Sequence, residues 1–211
     1  MVACKLYVEG GGDGKPLRTE CREAFSKFLE KAGLHGAMPR IVACGSRNDA
    51  YSRFCTAVGQ GQQAFLLVDS EGPVDAVLAK GPPEGWRPWE HLRRHDNWTK
   101  PVSSSELNCH LMVQVMESWF LADKEALAAF FGQGFQEGAL PSQSMVEAVA
   151  KEEVLRGLGQ ASRSCKTQKP YAKGPHSFKI LASIRPKKIS NASPWAKRFV
   201  DALTGKLKSG D

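Results

Sequence analysis

The chain of 211 residues contains no CxxC pair, no uninterrupted apolar run long enough to cross a bilayer, and no charged n-region leading into an apolar stretch. The last two absences argue against insertion and secretion, so a bacterial-type cytosol is the expected location. Six cysteines (Cys4, Cys21, Cys44, Cys55, Cys109 and Cys165) stand singly, several within apolar runs where a free thiol acts as a small hydrophobe; neither zinc nor disulfides are expected. The only histidines at helical spacing, His91 and His95, lie in a Trp- and Arg-rich segment with no evident third ligand and read as a solvated face. No internal repeat is visible.

Two phosphate-binding patterns are also missing. The glycine run Gly10-Gly11-Gly12-Asp13-Gly14 would need Gly at Glu9 and Ser or Thr at Pro16 to make a Walker loop, and its third dinucleotide glycine would fall on Lys15. No acidic residue ends the second expected strand to hold a ribose. Nucleotide-cofactor binding is therefore poorly supported.

What the chain does have is a set of apolar runs that end on carboxylates. Lys5-Leu6-Tyr7-Val8 leads into Glu9, Ala64-Phe65-Leu66-Leu67-Val68 into Asp69-Ser70-Glu71, and the run from His110 to Met116 into Glu117. Such runs read as buried parallel strands, and open α/β sheets carry their sites at the carboxyl ends of the strands. Acids gathered at one edge repel one another unless a cation or proton intervenes, which points to Mg²⁺ or Mn²⁺ and to phosphate chemistry.

The course of the chain supports an α/β fold. Helical spacing of Leu17, Cys21, Ala24, Phe25, Phe28 and Leu29 predicts a helix from Leu17 to Ala32, closed by Gly33. A strand at Arg40 to Cys44, a helix near Asn48 to Val58 and a strand from Ala64 continue a β/α alternation that argues for a parallel sheet. Residues 72–108, rich in Pro, Gly and Trp, read as an irregular insertion packed onto the body by Trp86-Arg87-Pro88-Trp89. A strand from His110 to Met116 follows, then a helix capped by Asp123 ahead of Lys124-Glu125-Ala126-Leu127. Further helices are expected from Met145 to Leu158, near His176 to Ser183, and after Ser193-Pro194, with a polar, basic loop from Ser162 to Lys173. One domain over residues 1–211 is expected, with a basic helical extension from about residue 144.

Charge is unevenly spread. Residues 1–150 hold 15 Lys+Arg against 18 Asp+Glu, a balance of −3, whereas residues 151–211 hold 14 against 4, a balance of +10. A cationic surface beside a carboxylate cluster suits a metal-dependent enzyme acting on nucleic acid, because phosphates dominate the binding energy; a solvated basic tail is the plainer alternative.

A strand ending in Glu9-Gly10 and a later one ending in Asp69-Ser70-Glu71 resemble the Toprim domain, with its Glu-Gly and Asp-x-Asp motifs in that order. More broadly, Tyr7 to Asp13, Phe65 to Glu71, His110 to Asp123 and Tyr171 to Ser177 resemble the domain of unknown function 4276 family over nearly the whole chain. The resemblance implies a Toprim-like, mostly parallel sheet flanked by helices. It also implies a defence nuclease or nuclease subunit that works against phage with an ABC-type ATPase partner. Carried over by position, Glu9 would be a general base or acid or a metal ligand, and Asp69 and Glu71 would hold the ion, with Glu71 departing from the usual second aspartate.

Strand-end reasoning adds Glu117 as a further ligand or as a cap of the following helix. Lys173 and His176 are nominated as the cations that neutralise the reacting phosphate, the alternative being a solvent-facing loop. Asp13 lies near Glu9, although turn formation explains it as well. Arg163, Lys166, Lys169, Lys187 and Lys188 are the expected contacts to a DNA or RNA backbone. Two other readings stay open: a non-catalytic binding or regulatory subunit, and a different phosphoryl-transfer enzyme.

Overall fold

Short, mostly apolar runs form strands, fully buried in β3 and β4, and four of them build the sheet. They are β1 (Lys5–Val8), β2 (Arg40–Ala43), β3 (Ala64–Asp69) and β4 (Cys109–Met112), ordered β2-β1-β3-β4 with every pair parallel. The computed structural model describes residues 4–208, so both ends of the expected domain, 1–3 and 209–211, lie outside the described residues. The helices are α1 (Lys15–Lys31), α2 (Arg47–Gly59), α3 (Pro88–Asp96), α4 (Lys124–Phe131), α5 (Lys151–Ser162), α6 (Ser177–Ser183), α7 (Pro186–Ala192) and α8 (Pro194–Lys208). None of them is long and apolar enough to cross a membrane.

Alternation along the strands divides the core. Leu6, Val8, Phe65 and Leu67 pack with α1 and the carboxyl-terminal helices, whereas Tyr7, Leu66 and Val68 face Phe54 of α2 and Trp89 and Leu92 of α3. Trp119, fully buried, stacks on Phe28 of α1 and Phe199 of α8. Because β1 is followed by β2 on one side and β3 on the other, the strand order reverses between β1 and β3. That reversal opens a crevice at their carboxyl ends.

The structure departs from the sequence expectations in three stretches. The stretch 72–108 is not wholly irregular: it carries α3 and the 3₁₀ turns Ala76–Ala79, Pro83–Gly85 and Glu106–Asn108. Its tryptophans do pack it down, Trp86 on Trp195, Trp89 on Phe54 and Trp98 stacked 4.4 Å from Tyr51. The fourth strand stops at Met112 rather than Met116. There the backbone turns to meet the end of β3, with Ser70 N–H donating to Met112 O, Glu71 N–H to Gln114 O and Met116 N–H to the Asp69 carboxylate, and Met116–Asp123 coils into a 3₁₀ segment.

The helix expected from Met145 starts instead at Lys151, because Val149 and Ala150 are extended. Glu147 is thereby free to reach α8, where it accepts hydrogen bonds from Ser193 Oγ and Trp195 N–H; Ser193 in turn caps Ala196 N–H, as its sequence position predicts. The helices of the basic carboxyl-terminal region pack on the sheet and on α1. α6 lies along α1 and α8 along β4, and buried Arg198 donates to the carbonyls of Pro83, Cys109 and Glu106.

Asp123 caps α4 through Ala126 N–H and also binds the Arg185 backbone and guanidinium. Burial opposes ionisation, but the Arg185 hydrogen bonds hold the Asp123 carboxyl down at about 2.

Loop glycines set the crevice walls. Gly10 and Gly45, after β1 and β2, exchange backbone hydrogen bonds of 2.9 and 2.8 Å. Gly45 has φ of +86°, and a Cβ there would stand 2.8 Å from Gly12 O. Gly45→Ala should therefore destabilise the protein by at least about 1–2 kcal/mol. Gly159→Ala, in the middle of α5 with open space around it, should stabilise by about 0.5–1 kcal/mol. Urea unfolding of the two variants checks both signs.

Candidate metal centre

Each acid arrives by a separate route. Glu9 is the first residue beyond β1, Asp69 the last of β3, and Glu71 sits two residues on with φ of 62°, a left-handed conformation that costs a non-glycine residue about 1–2 kcal/mol. Glu71 N–H to Gln114 O, at 2.9 Å, pins that turn. The result brings one carboxylate oxygen from each of Glu9, Asp69 and Glu71 within 4.8 Å of one another, at the crevice where the strand order reverses.

The cluster is recessed and tightly wired. Asp69 is 3% exposed; its Oδ1 accepts Met116 N–H at 2.8 Å, and Glu9 Oε2 accepts Asp69 N–H at 3.0 Å. Glu117, from the 3₁₀ segment, is fully buried, and its Oε1 accepts the Tyr171 hydroxyl at 2.8 Å and the Ser177 hydroxyl at 3.1 Å. Glu117 Oε2 accepts no hydrogen bond among the described residues. Lys173 Nζ lies 3.7 Å from that oxygen and 3.8 Å from Asp69 Oδ2, with its own side chain half exposed. A cavity of about 250 Å³ joins these groups to the Gly10–Gly12 turn, Leu17 and Phe178.

Electrostatics follow from the crowding. Burial pushes the Glu9 carboxyl up to about 7, against the Asp69 N–H bond and Arg47, and Asp69 is raised well above its usual range by burial and by the Glu9 charge. Burial alone would lower Lys173, but the charges of Glu117, Asp69, Glu9 and Glu71 raise it. Two more cations face the acids: Lys151, at the start of α5, pairs with Glu71, and Arg47 Nε lies 3.5 Å from Glu9 Oε2. All the donors are carboxylate oxygens, the set that suits a hard divalent cation, and the orphaned buried oxygen of Glu117 is one an ion could satisfy. The residues present therefore fit a hard divalent cation.

Other residues singled out in the sequence lie elsewhere. His176 does not line the cavity: its ring packs against Phe130 and Phe131, and Nδ1 accepts Ala172 N–H at 3.1 Å. Burial and Lys179 lower its pKa, so it is a neutral prop of the loop rather than a cation of the site. Asp13 is exposed, near Arg18 and outside the cluster. Arg163, Lys166, Lys169 and Lys187 are exposed, whereas Lys188 is paired with Glu125 and Asp123. His91 is buried rather than solvated, and its Nε2 contacts Ser70 O at 2.9 Å, which braces the acid-bearing turn.

Arg47, Lys151 and the Tyr171–Ser177 hydroxyl pair were not found as site residues from the sequence. Arg47 follows a strand and a glycine, which was a usable signal; Lys151 carries none, because it reaches Glu71 from eighty residues away.

Raised carboxyl pKa values make the acid cluster a cost to the metal-free fold. Glu9 binds a proton more tightly folded than unfolded, so its contribution is complete below its ordinary value of 4.5 and is lost as pH rises through about 7. Over that window the metal-free protein should lose up to about 3 kcal/mol from this group. Glu9→Gln should flatten the loss, and Mn²⁺ should reverse it in the wild type alone. Chemical denaturation in chelator and in Mn²⁺ between pH 4.5 and 8 checks all three.

A family model described as Domain of unknown function (DUF4276) matches residues 8–204. No curated protein and no solved structure matches the chain. The matched span runs from the last residue of β1 into α8 and takes in Glu9, Asp69, Glu71, Glu117 and Lys173, as the four stretches noted in the sequence led one to expect; the chain belongs to the DUF4276 family.

Proposed function

We propose that the protein is a Mg²⁺- or Mn²⁺-dependent nuclease or nuclease subunit that hydrolyses phosphodiester bonds in DNA or RNA. The observation that carries this reading is the convergence of Glu9, Asp69 and Glu71 within 4.8 Å, beside an orphaned oxygen of Glu117 and the half-exposed Lys173. Glu9, Asp69 and Glu71 would hold the ion, with Glu117 as a further donor. When bound, it would supply Lewis-acid activation of the phosphate and a lowered pKa for a coordinated water.

The chain's own residues account for the rest of the chemistry. Glu9 Oε2 is engaged with Asp69 N–H, which leaves Oε1 to accept a proton from the attacking water. Lys173, kept protonated by the acids around it, would neutralise charge developing on the phosphate. Tyr171 and Ser177 would hold Glu117 at a fixed orientation. Arg163, Lys166 and Lys169, exposed on the loop that leads to Lys173, would grip the nucleic-acid backbone, and Lys187 would extend that surface. An ABC-type ATPase partner in phage defence belongs to the same proposal, on the family resemblance.

One observation favours a non-catalytic binding subunit instead: Lys151 and Arg47 already compensate Glu71 and Glu9 without an ion. The two readings separate in one experiment, in which labelled single- and double-stranded DNA and RNA are incubated with the protein in Mg²⁺ and then Mn²⁺. The nuclease reading expects cleavage that falls by about 100-fold or more in both Glu9→Gln and Asp69→Asn. Salt-sensitive binding with no cleavage, alone or with an ATPase partner, would establish the binding subunit.

A further inference from the structure

Arg47 opens α2, directly after the Ser46 cap, and its side chain turns back toward the ends of β1 and β3. Nε donates to Asp69 O at 3.1 Å and lies 3.5 Å from Glu9 Oε2. Its two terminal nitrogens form a fork onto both oxygens of Asp96, at 2.5 and 3.0 Å, and the guanidinium stands 5.1 Å over the Trp98 ring. Only 15% of the side chain is exposed. Each of its three nitrogens donates to a protein group, so the guanidinium is held on two sides. A planar, rigid fork held on both sides is suited to fixing the groups it touches.

We propose that Arg47 is a positioning residue that fixes the Glu9 carboxylate and the carboxyl end of β3 in the geometry the acid cluster needs, held there by Asp96 and Trp98. The inference rests on the metal-site reading above and goes beyond it by giving the Trp-rich stretch a task. Asp96 ends α3 and Trp98 lies just beyond it, so this end of the insertion acts on the site through Arg47. His91, earlier on α3, contacts Ser70 O directly and braces the same turn.

A residue that only compensated charge would behave differently. An arginine cation beside Glu9 opposes a divalent ion, so removal of its charge alone should tighten metal binding, and lysine in its place should leave binding unchanged. A positioning residue predicts the opposite pattern. Mn²⁺ affinity, measured by calorimetry on the full chain, should fall about ten- to a hundredfold in Arg47→Met, in Arg47→Lys and in Asp96→Asn. Asp96→Asn leaves every acid of the cluster in place and keeps the test valid if Arg47→Met fails to fold.

Amide hydrogen exchange of the metal-free protein supplies a second readout. In Arg47→Lys the Asp69 amide, which donates to Glu9, should lose protection while Leu66 and Leu67 in the same strand keep theirs. Tighter Mn²⁺ binding in Arg47→Met, or an unchanged Asp69 amide in Arg47→Lys, would overturn the proposal. If the wild type binds no Mn²⁺, the metal reading fails, and the Asp69 amide still decides whether Arg47 holds Glu9.

Discussion

Mutual repulsion among carboxylates at the ends of β1 and β3 is the constraint around which the rest of the molecule is arranged. Glu9 and Asp69 are joined by a backbone hydrogen bond and share a recess, and burial raises the cost of ionising both. The chain offsets that cost from three directions. Arg47 comes from α2, Lys151 from α5, and Lys173 from the loop before α6, each next to a different acid. Three elements far apart in sequence are thus tied to one crevice by charge.

The same crevice explains features that have little to do with the core. Glycines after β1 and β2 bring two backbones into direct hydrogen-bonded contact, and a side chain at Gly45 would collide with the Gly12 carbonyl. The fourth strand is cut short so that Met116 N–H can meet Asp69 and Glu117 can enter the cavity. Glu71 accepts a left-handed backbone for the same end. The left-handed Glu71 and the shortened fourth strand lie where the acids meet, whereas the two apolar faces of the sheet carry the stability.

Much of this was legible in the chain. Apolar runs ending on acids identified β1, β3 and β4 and all four acids of the recess, β/α alternation supplied β2, and the Ser193-Pro194 pair marked the start of α8. Period-2 and period-3.6 patterns are local, so they survive without knowledge of what packs on them. Reading failed where the decisive partner was remote. His176 looked like a cation of the site but is desolvated by Phe130 and Phe131, and Lys188 looked free but answers to Asp123 and Glu125. The stretch 72–108 looked irregular because its Pro and Trp residues hide the short amphipathic turn of α3.

By itself, then, the sequence determined the parallel α/β architecture, the family, and the carboxylates placed at strand ends, because strand burial and alternation are written in neighbouring residues. Only the tertiary structure decided which cations face those carboxylates and how far their pKa values move. Lys151, Lys173 and Arg47 reach the acids from separate elements, and both desolvation and Coulomb attraction depend on distances across the fold rather than along the chain.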